Sequence, residues 1–141
     1  MDTSTPPKTA QFVSRIPRVL WLTPWYPDAT HPYRAAYIRA QFRAAAGQAE
    51  AQLLFVDVEH GSGWWQSRWI TTEPNVFTWE VRSVFWKFLR HAPSFLALWV
   101  ARQAFRKLSG LNKPDLLHGN IGFPGGVLAQ DLARRWGVPY V

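Results

Sequence analysis

The sequence predicts an α/β fold built on a parallel sheet, and three observations carry that expectation. Two apolar runs rich in strand formers, RVLWLT (18–23) and AQLLFVDV (51–58), show no alternation, as expected of strands covered on both faces. A helical stretch lies between them. A second strand, turn, helix and strand order recurs over residues 114–141. Strand, helix and strand at this spacing form a βαβ unit with a crossover connection.

Each element has its own signal. Residues 1–17, MDTSTPPKTAQFVSRIP, hold three prolines and several Ser/Thr, which predicts a disordered tail. They contain no apolar core of the kind a secretory signal needs. Pro24 ends the first strand, and residues 24–34 form a loop with further prolines. A helix over Ala35–Ala46 follows, with Gly47 as its stop. On it Tyr37, Ile38, Phe42 and Ala45 share one face, while Arg39 and Arg43 lie on another. Residues 59–75 read as irregular: they hold Gly61, Gly63, Pro74, Trp64, Trp65 and Trp69. Val76–Val81 is a third strand, and Val84–Arg90 and Pro93–Leu108 are helices, with Pro93 in a first-turn position. PDLLHG (114–119) is the fourth strand and IGFPGG (121–126) a turn. Val127–Trp136 is a helix stopped by Gly137, and Pro139–Val141 opens one more strand.

Composition narrows the function classes. A chain of 141 residues with 48% hydrophobic residues is the size of one domain and can bury a sizeable core. It has no cysteine, which excludes disulfides, thiolate metal sites and cysteine nucleophiles. The longest nearly apolar run, Ala92–Ala101, is half the length of about 20 residues that a membrane span requires. Sixteen basic residues against nine acidic give a net charge of +7, and nine of the aromatics are Trp. That combination argues against a disordered chain and for an acidic partner: nucleic acid, an anionic membrane surface or a phosphorylated ligand.

The catalytic inventory is thin. His31, His60, His91 and His118 are scattered without metal-ligand spacing, so no metal is expected. No serine sits in a nucleophile elbow, and no close acidic pair is evident. GFPGG lacks both the Gly-Lys-Ser/Thr ending of a Walker loop and the spacing of a dinucleotide fingerprint.

Two places stand out. In open parallel sheets, ligands bind outside the carboxyl ends of the strands. Here those ends are 23–27 and 118–122, each followed by a helix whose N-terminal amides can receive an anion. Gly125 and Gly126 either admit a phosphate or sugar to the backbone or shape a tight turn. The second place is Val81–Pro114, which has seven basic residues and no acidic one. On a helical wheel Ala97, Leu98, Val100, Ala101, Ala104, Phe105 and Leu108 share one core-facing arc. Phe95 and Trp99 fall outside it, near Arg102 and Arg106. This pattern suits an anionic bilayer interface, with Trp86, Lys87 and Arg90 contributing. The alternative is that Phe95 and Trp99 pack beneath the Trp-rich loop of 64–69. Nucleic acid is disfavoured, because no nucleic-acid-binding motif is present.

The motifs taken in order resemble a known family. RVLWLTPWYPDATHPYRAAYIRAQFRAA (18–45) is similar to the opening strand, "WYP" loop and first helix of family 4 glycosyltransferases. KPDLLHGNIGFPGGVLAQDLARRWGVPYV (113–141) resembles their "PD..H" strand, glycine turn, helix and "G-(I/V)-P-(Y/V)-V" segment. Residues 59–110 match only in layout. The resemblance implies the N-terminal half of a retaining enzyme with two Rossmann-like domains (GT-B type): an incomplete, three-layer parallel-sheet unit over residues 18–141.

It further implies that this half lines the acceptor side of a cleft. Pro24, Tyr26, Pro27 and Arg34 belong to the first cleft loop, and His118, Asn120, Gly122, Gly125 and Gly126 to the second. The nucleotide-sugar donor would bind chiefly to a C-terminal Rossmann-like domain, and no other cofactor is implied. The family's sugar-contacting histidine loop would lie beyond Val141, so the piece alone is expected to be inactive. Many members carry glycine before the first helix, where Ala35 and Ala36 stand here. A histidine often follows the "PD..H" histidine by two; here it is Asn120. The implied acceptor is a lipid-linked or cell-envelope glycan at the cytoplasmic membrane face. A non-catalytic basic and aromatic module that docks on a membrane or a partner protein is the reading of a different class.

Overall fold

A computed structural model describes residues 15–85, 99, 102, 103, 106, 113–120 and 125–141. Five strands and two helices follow in the order β1 (Arg18–Thr23), α1 (Ala36–Ala46), β2 (Glu50–His60), β3 (Gln66–Glu73), β4 (Val76–Ser83), β5 (Leu116–Gly119) and α2 (Val127–Trp136). They form one sheet of order β3-β4-β2-β1-β5. β1 runs parallel to both β2 and β5, and β4 runs parallel to β2. Tyr140 bridges in parallel to Leu117, so the segment predicted to open a further strand does run beside β5.

The unbroken apolar character of β1 is explained by what covers it. Leu20 and Leu22 join Leu54, Leu117 and the α2 residues Leu128, Ala129, Leu132 and Ala133 in one core. Trp21, with Val19 beside it, joins Ala51, Leu53, Phe55, Val76, Tyr26 and the α1 residues Ile38 and Phe42 in another. Successive strand side chains point to opposite faces, so β1 and β2 feed both cores. The result is the expected α/β architecture of three layers, α1 on one face of a mostly parallel sheet and α2 on the other.

The sequence reading and the structure differ in four places. Residues 66–73, expected to be irregular, form β3, which pairs antiparallel with β4. Trp69 stacks on Trp79 with ring centroids 4.7 Å apart, and Asn75 takes a left-handed φ of 63° in the connecting turn. That cross-strand aromatic pair is the stabilising unit, and it depends on a partner ten positions away in sequence. Tyr37 is exposed rather than part of the α1 core stripe, which runs through Ala35, Ile38, Phe42 and Ala45. Val84 and Phe85 form a turn rather than the start of a helix. β2 and β4 extend past their predicted ends, to His60 and Ser83, because they pair with each other along that length.

Trp99, Arg102, Gln103 and Arg106 are helical, in keeping with the helix expected over 93–108. The remainder of that helix, most of the one expected over 84–90, residues 1–14 of the tail and positions 121–124 of the glycine turn lie outside the described residues.

Candidate functional site

Strand order places the two expected ligand loops side by side. β1 is the strand at which the chain order reverses, with β2 on one side and β5 on the other. In open parallel sheets, such a reversal is where ligands bind, outside the carboxyl ends. Trp21 pairs with His118 and Leu22 with Gly119, and the Asn120 amide donates to the Leu22 carbonyl at 2.9 Å.

The predicted residues take different places around it. Pro24 is half-buried, and Thr23 fixes the loop start, its hydroxyl donating to the Trp25 carbonyl at 2.8 Å. Tyr26 and Pro27 are buried, and Tyr26 is a core residue beneath α1 rather than a lining of the crevice. Burial raises the Tyr26 pKa, with Glu73 adding to the shift. His118 is half-buried and stacks on the Trp21 indole, centroids 3.9 Å apart and planes at 30°. Burial lowers its pKa and favours the neutral imidazole. Asn120 is buried, Gly126 is the residue before α2, and Gly122 lies outside the described residues.

Gly125 serves the chain itself. A Cβ there would lie 2.5 Å from the Asn120 carbonyl oxygen and 2.7 Å from that of Leu22. Its bare Cα lets the start of α2 press against the ends of β1 and β5. Of the two readings of this turn, the close-packed one accounts for that contact.

Ala35 takes a left-handed conformation (φ 47°, ψ 43°) immediately before α1. A non-glycine residue there costs on the order of 1 kcal/mol. The backbone thus holds the shape glycine adopts freely. Neither α1 nor α2 has a side-chain cap on its N-terminal amides or an acid in its first turn.

Arg34 is already neutralised. Its guanidinium lies 3.3 Å from Asp57, 3.7 Å from Asp28 and 3.9 Å from Glu59, and donates to His31 Nδ1 at 2.8 Å. The network continues through Arg82, paired with Glu59 and Glu80, to Arg68, also paired with Glu80. Four carboxylates therefore face three guanidiniums on the α1 side of β2 and β4. Arg68, Glu80 and Arg82, with Gln66 and Ser67, line a cleft of about 320 Å³. Asp57 and Glu59 are a close acidic pair that the sequence reading overlooked. The signal was available: residues two apart on a strand share a face.

Burial raises the Asp57 pKa, and Glu59 adds to the shift despite Arg34. Glu80 is also desolvated, but hydrogen bonds from Arg68 and Arg82 hold it below the usual carboxylate range. The Asp57 shift predicts a pH effect. The fold binds the Asp57 proton more tightly than the unfolded chain does. Its contribution to stability is therefore complete below the ordinary value of 3.8 and is lost as pH rises through the folded value. Asp57→Asn removes that loss while its amide oxygen still accepts from Arg34. The stability of the variant relative to the native chain should rise as pH is taken from 3 towards 7, measured by urea unfolding at each pH.

The basic and aromatic face is differently composed than expected. Arg102 donates to Asp131 of α2 at 2.9 Å, so its charge is engaged internally. Trp99 packs edge-on against Trp65, centroids 6.2 Å apart, as the internal-packing alternative anticipated, yet it stays half-exposed. Arg106 is exposed. Trp86, Lys87, Arg90 and Phe95 lie outside the described residues. Among the described residues no helix is long and apolar enough to cross a membrane, and no cluster of three side chains is arranged to hold a metal ion.

The fold defines a class: an α/β, mostly parallel sheet protein, consistent with a Rossmann-like unit, whose strand order reverses at β1. No family model matches the chain, and neither a curated protein nor a solved structure is detectably similar to it.

Proposed function

We propose that the chain is the acceptor-side, N-terminal half of a retaining glycosyltransferase of the two-Rossmann-domain type. It would present a lipid-linked or cell-envelope glycan to a nucleotide-sugar held by a second domain, at the cytoplasmic face of a membrane. The observation that carries the reading is the adjacency of β1 and β5, which brings the carboxyl ends of both motif-bearing strands side by side. The left-handed Ala35 is compatible with it: its backbone conformation is one that glycine, common before the first helix in the resembled family, adopts freely.

The crevice chemistry fits a neutral polyhydroxylated ligand better than a free diphosphate. Arg34 is committed to three carboxylates, while His118 and Asn120 offer neutral donors and acceptors. The half would bind and orient the acceptor, and transfer would await the donor domain.

Nuclear magnetic resonance titration tests this. Short glycans should shift the His118 and Asn120 signals, and His118→Ala should weaken binding by about tenfold, the loss of one good polar contact. Nucleotide alone should leave both signals in place. Silence towards every glycan would sink the reading. A second reading, a non-catalytic docking module, is favoured by the exposed aromatics Trp64, Trp65, Phe85 and Trp99.

A further inference from the structure

We propose that Trp64, Trp65, Phe85 and Trp99 form one displayed aromatic platform, at the carboxyl ends of β2 and β4, that seats the chain on an anionic lipid bilayer. This rests on the membrane-facing part of the reading above and reassigns which residues make the contact. Two of the four, Trp64 and Trp65, come from outside the Val81–Pro114 segment expected to carry it.

The four rings form two edge-to-face pairs: Trp64 with Phe85 at 5.1 Å and Trp65 with Trp99 at 6.2 Å. Trp64 is 79% exposed, and the other three are 40–47% exposed. Exposure on this scale is costly in water and marks a contact surface.

The rings are held outward by the backbone beneath them. The Gly61 amide donates to the Ser83 carbonyl at 3.2 Å, and the Val84 amide to the Gly63 carbonyl at 3.0 Å. The Ser83 hydroxyl donates to the Trp64 carbonyl and accepts from the Phe85 amide at 3.1 Å. A Cβ at Gly61 would lie 2.7 Å from that of Arg82, so the two segments meet where only glycine fits. Loops tied to strand ends in this way cannot fold their tryptophans inward without breaking four hydrogen bonds.

Composition and charge select the occupant. Trp and Phe, rather than Leu or Ile, dominate the platform, and amphipathic aromatic rings favour the headgroup level of a bilayer. Arg106 follows Trp99 by seven residues, hence on the same side of the helix, and is exposed. Lys87 and Arg90 follow Phe85 closely in sequence, and no acidic residue occurs anywhere in Val81–Pro114. The chain carries a net charge of +7, so a second copy would meet like charge, and anionic lipid would be attracted. The platform lies at the same edge of the sheet as the carboxyl ends of β1 and β5.

Co-sedimentation with vesicles of phosphatidylcholine, alone or with one-third phosphatidylglycerol, tests the proposal. The native chain should pellet with the anionic vesicles and not with the neutral ones. Trp64→Ala, at the most exposed ring, should weaken the partition by about tenfold or more. Tyr33→Ala, which removes a ring that is 90% exposed in the β1–α1 loop, should leave it unchanged. Circular dichroism and the thermal midpoint check that Trp64→Ala is folded. Equal binding to both vesicle types, no effect of Trp64→Ala, or a soluble dimer abolished by that substitution would each overturn the proposal. Vesicle binding without any glycan response would remove the glycosyltransferase reading and leave the platform standing; the converse result would do the reverse.

Discussion

Replacing Gly125 with alanine will destabilise the chain by about 3 kcal/mol or more, at the upper end of what one added methyl does in a packed interior. The new carbon would fall 2.5 Å and 2.7 Å from two backbone carbonyl oxygens, those of Asn120 and Leu22. A flexible side chain could swing away; these oxygens cannot. Leu22 is the last residue of the β1–β5 ladder, and its oxygen already accepts the Asn120 amide. Relief would require α2 to retreat from the sheet and Leu128 and Leu132 to leave their core. Gly47→Ala is the control. Its nearest atom would be 3.4 Å away and its backbone is already right-handed helical (φ −76°), so it should be neutral or slightly stabilising. Urea midpoints of the two variants, measured at one pH, check the contrast. A Gly125→Ala chain as stable as the native one would show that the turn is open, with room for a ligand against its backbone.

Tyr26→Ala will cost about 3–5 kcal/mol, and Tyr26→Phe will cost less than about 1 kcal/mol. The ring is fully buried among Ile38, Phe42, Leu53 and Phe55, so truncation leaves a large cavity. The hydroxyl lies near Glu73, Arg39 and Arg43 and has no hydrogen bond of good geometry, so its removal loses little. The same burial predicts an alkaline effect. Because the folded pKa is raised, the contribution of this tyrosine is present below the ordinary value of 10.0 and lost as pH rises through the folded value. Tyr26→Phe should therefore resist alkaline unfolding better than the native chain. If Tyr26 lined the acceptor crevice instead, Tyr26→Phe would weaken glycan binding without this change.

These two residues show where a motif can mislead. The "WYP" loop is recognisable as a sequence feature, and proximity to the crevice is what its place after the first strand implies. Which way each side chain turns is a matter of packing. Tyr26 turns into the space between α1 and the sheet, where its ring covers Phe55 and Val76. Arg34 shows the same limit in electrostatic form. Its pairing with Asp57 and Glu59 is not legible along the chain, because both are more than twenty positions away in sequence. The β1–β2 pairing brings them within 4 Å of it.

The chain's own pattern of hydrophobic residues determined the α/β class, the βαβ opening and the placement of both strand ends. A strand buried on both faces must be apolar throughout, and a helix between two such strands must cross over the sheet. Those are local properties, readable over a few residues. Only the tertiary structure decided what the surfaces carry. It tied Arg34 to Asp57 and Glu59, consigned Arg102 to Asp131, and gathered Trp64, Trp65, Phe85 and Trp99 from three separate stretches of chain. Such groupings depend on contacts between residues distant in sequence. Their energies turn on which atoms meet within a few ångströms, and no periodicity along the chain encodes that.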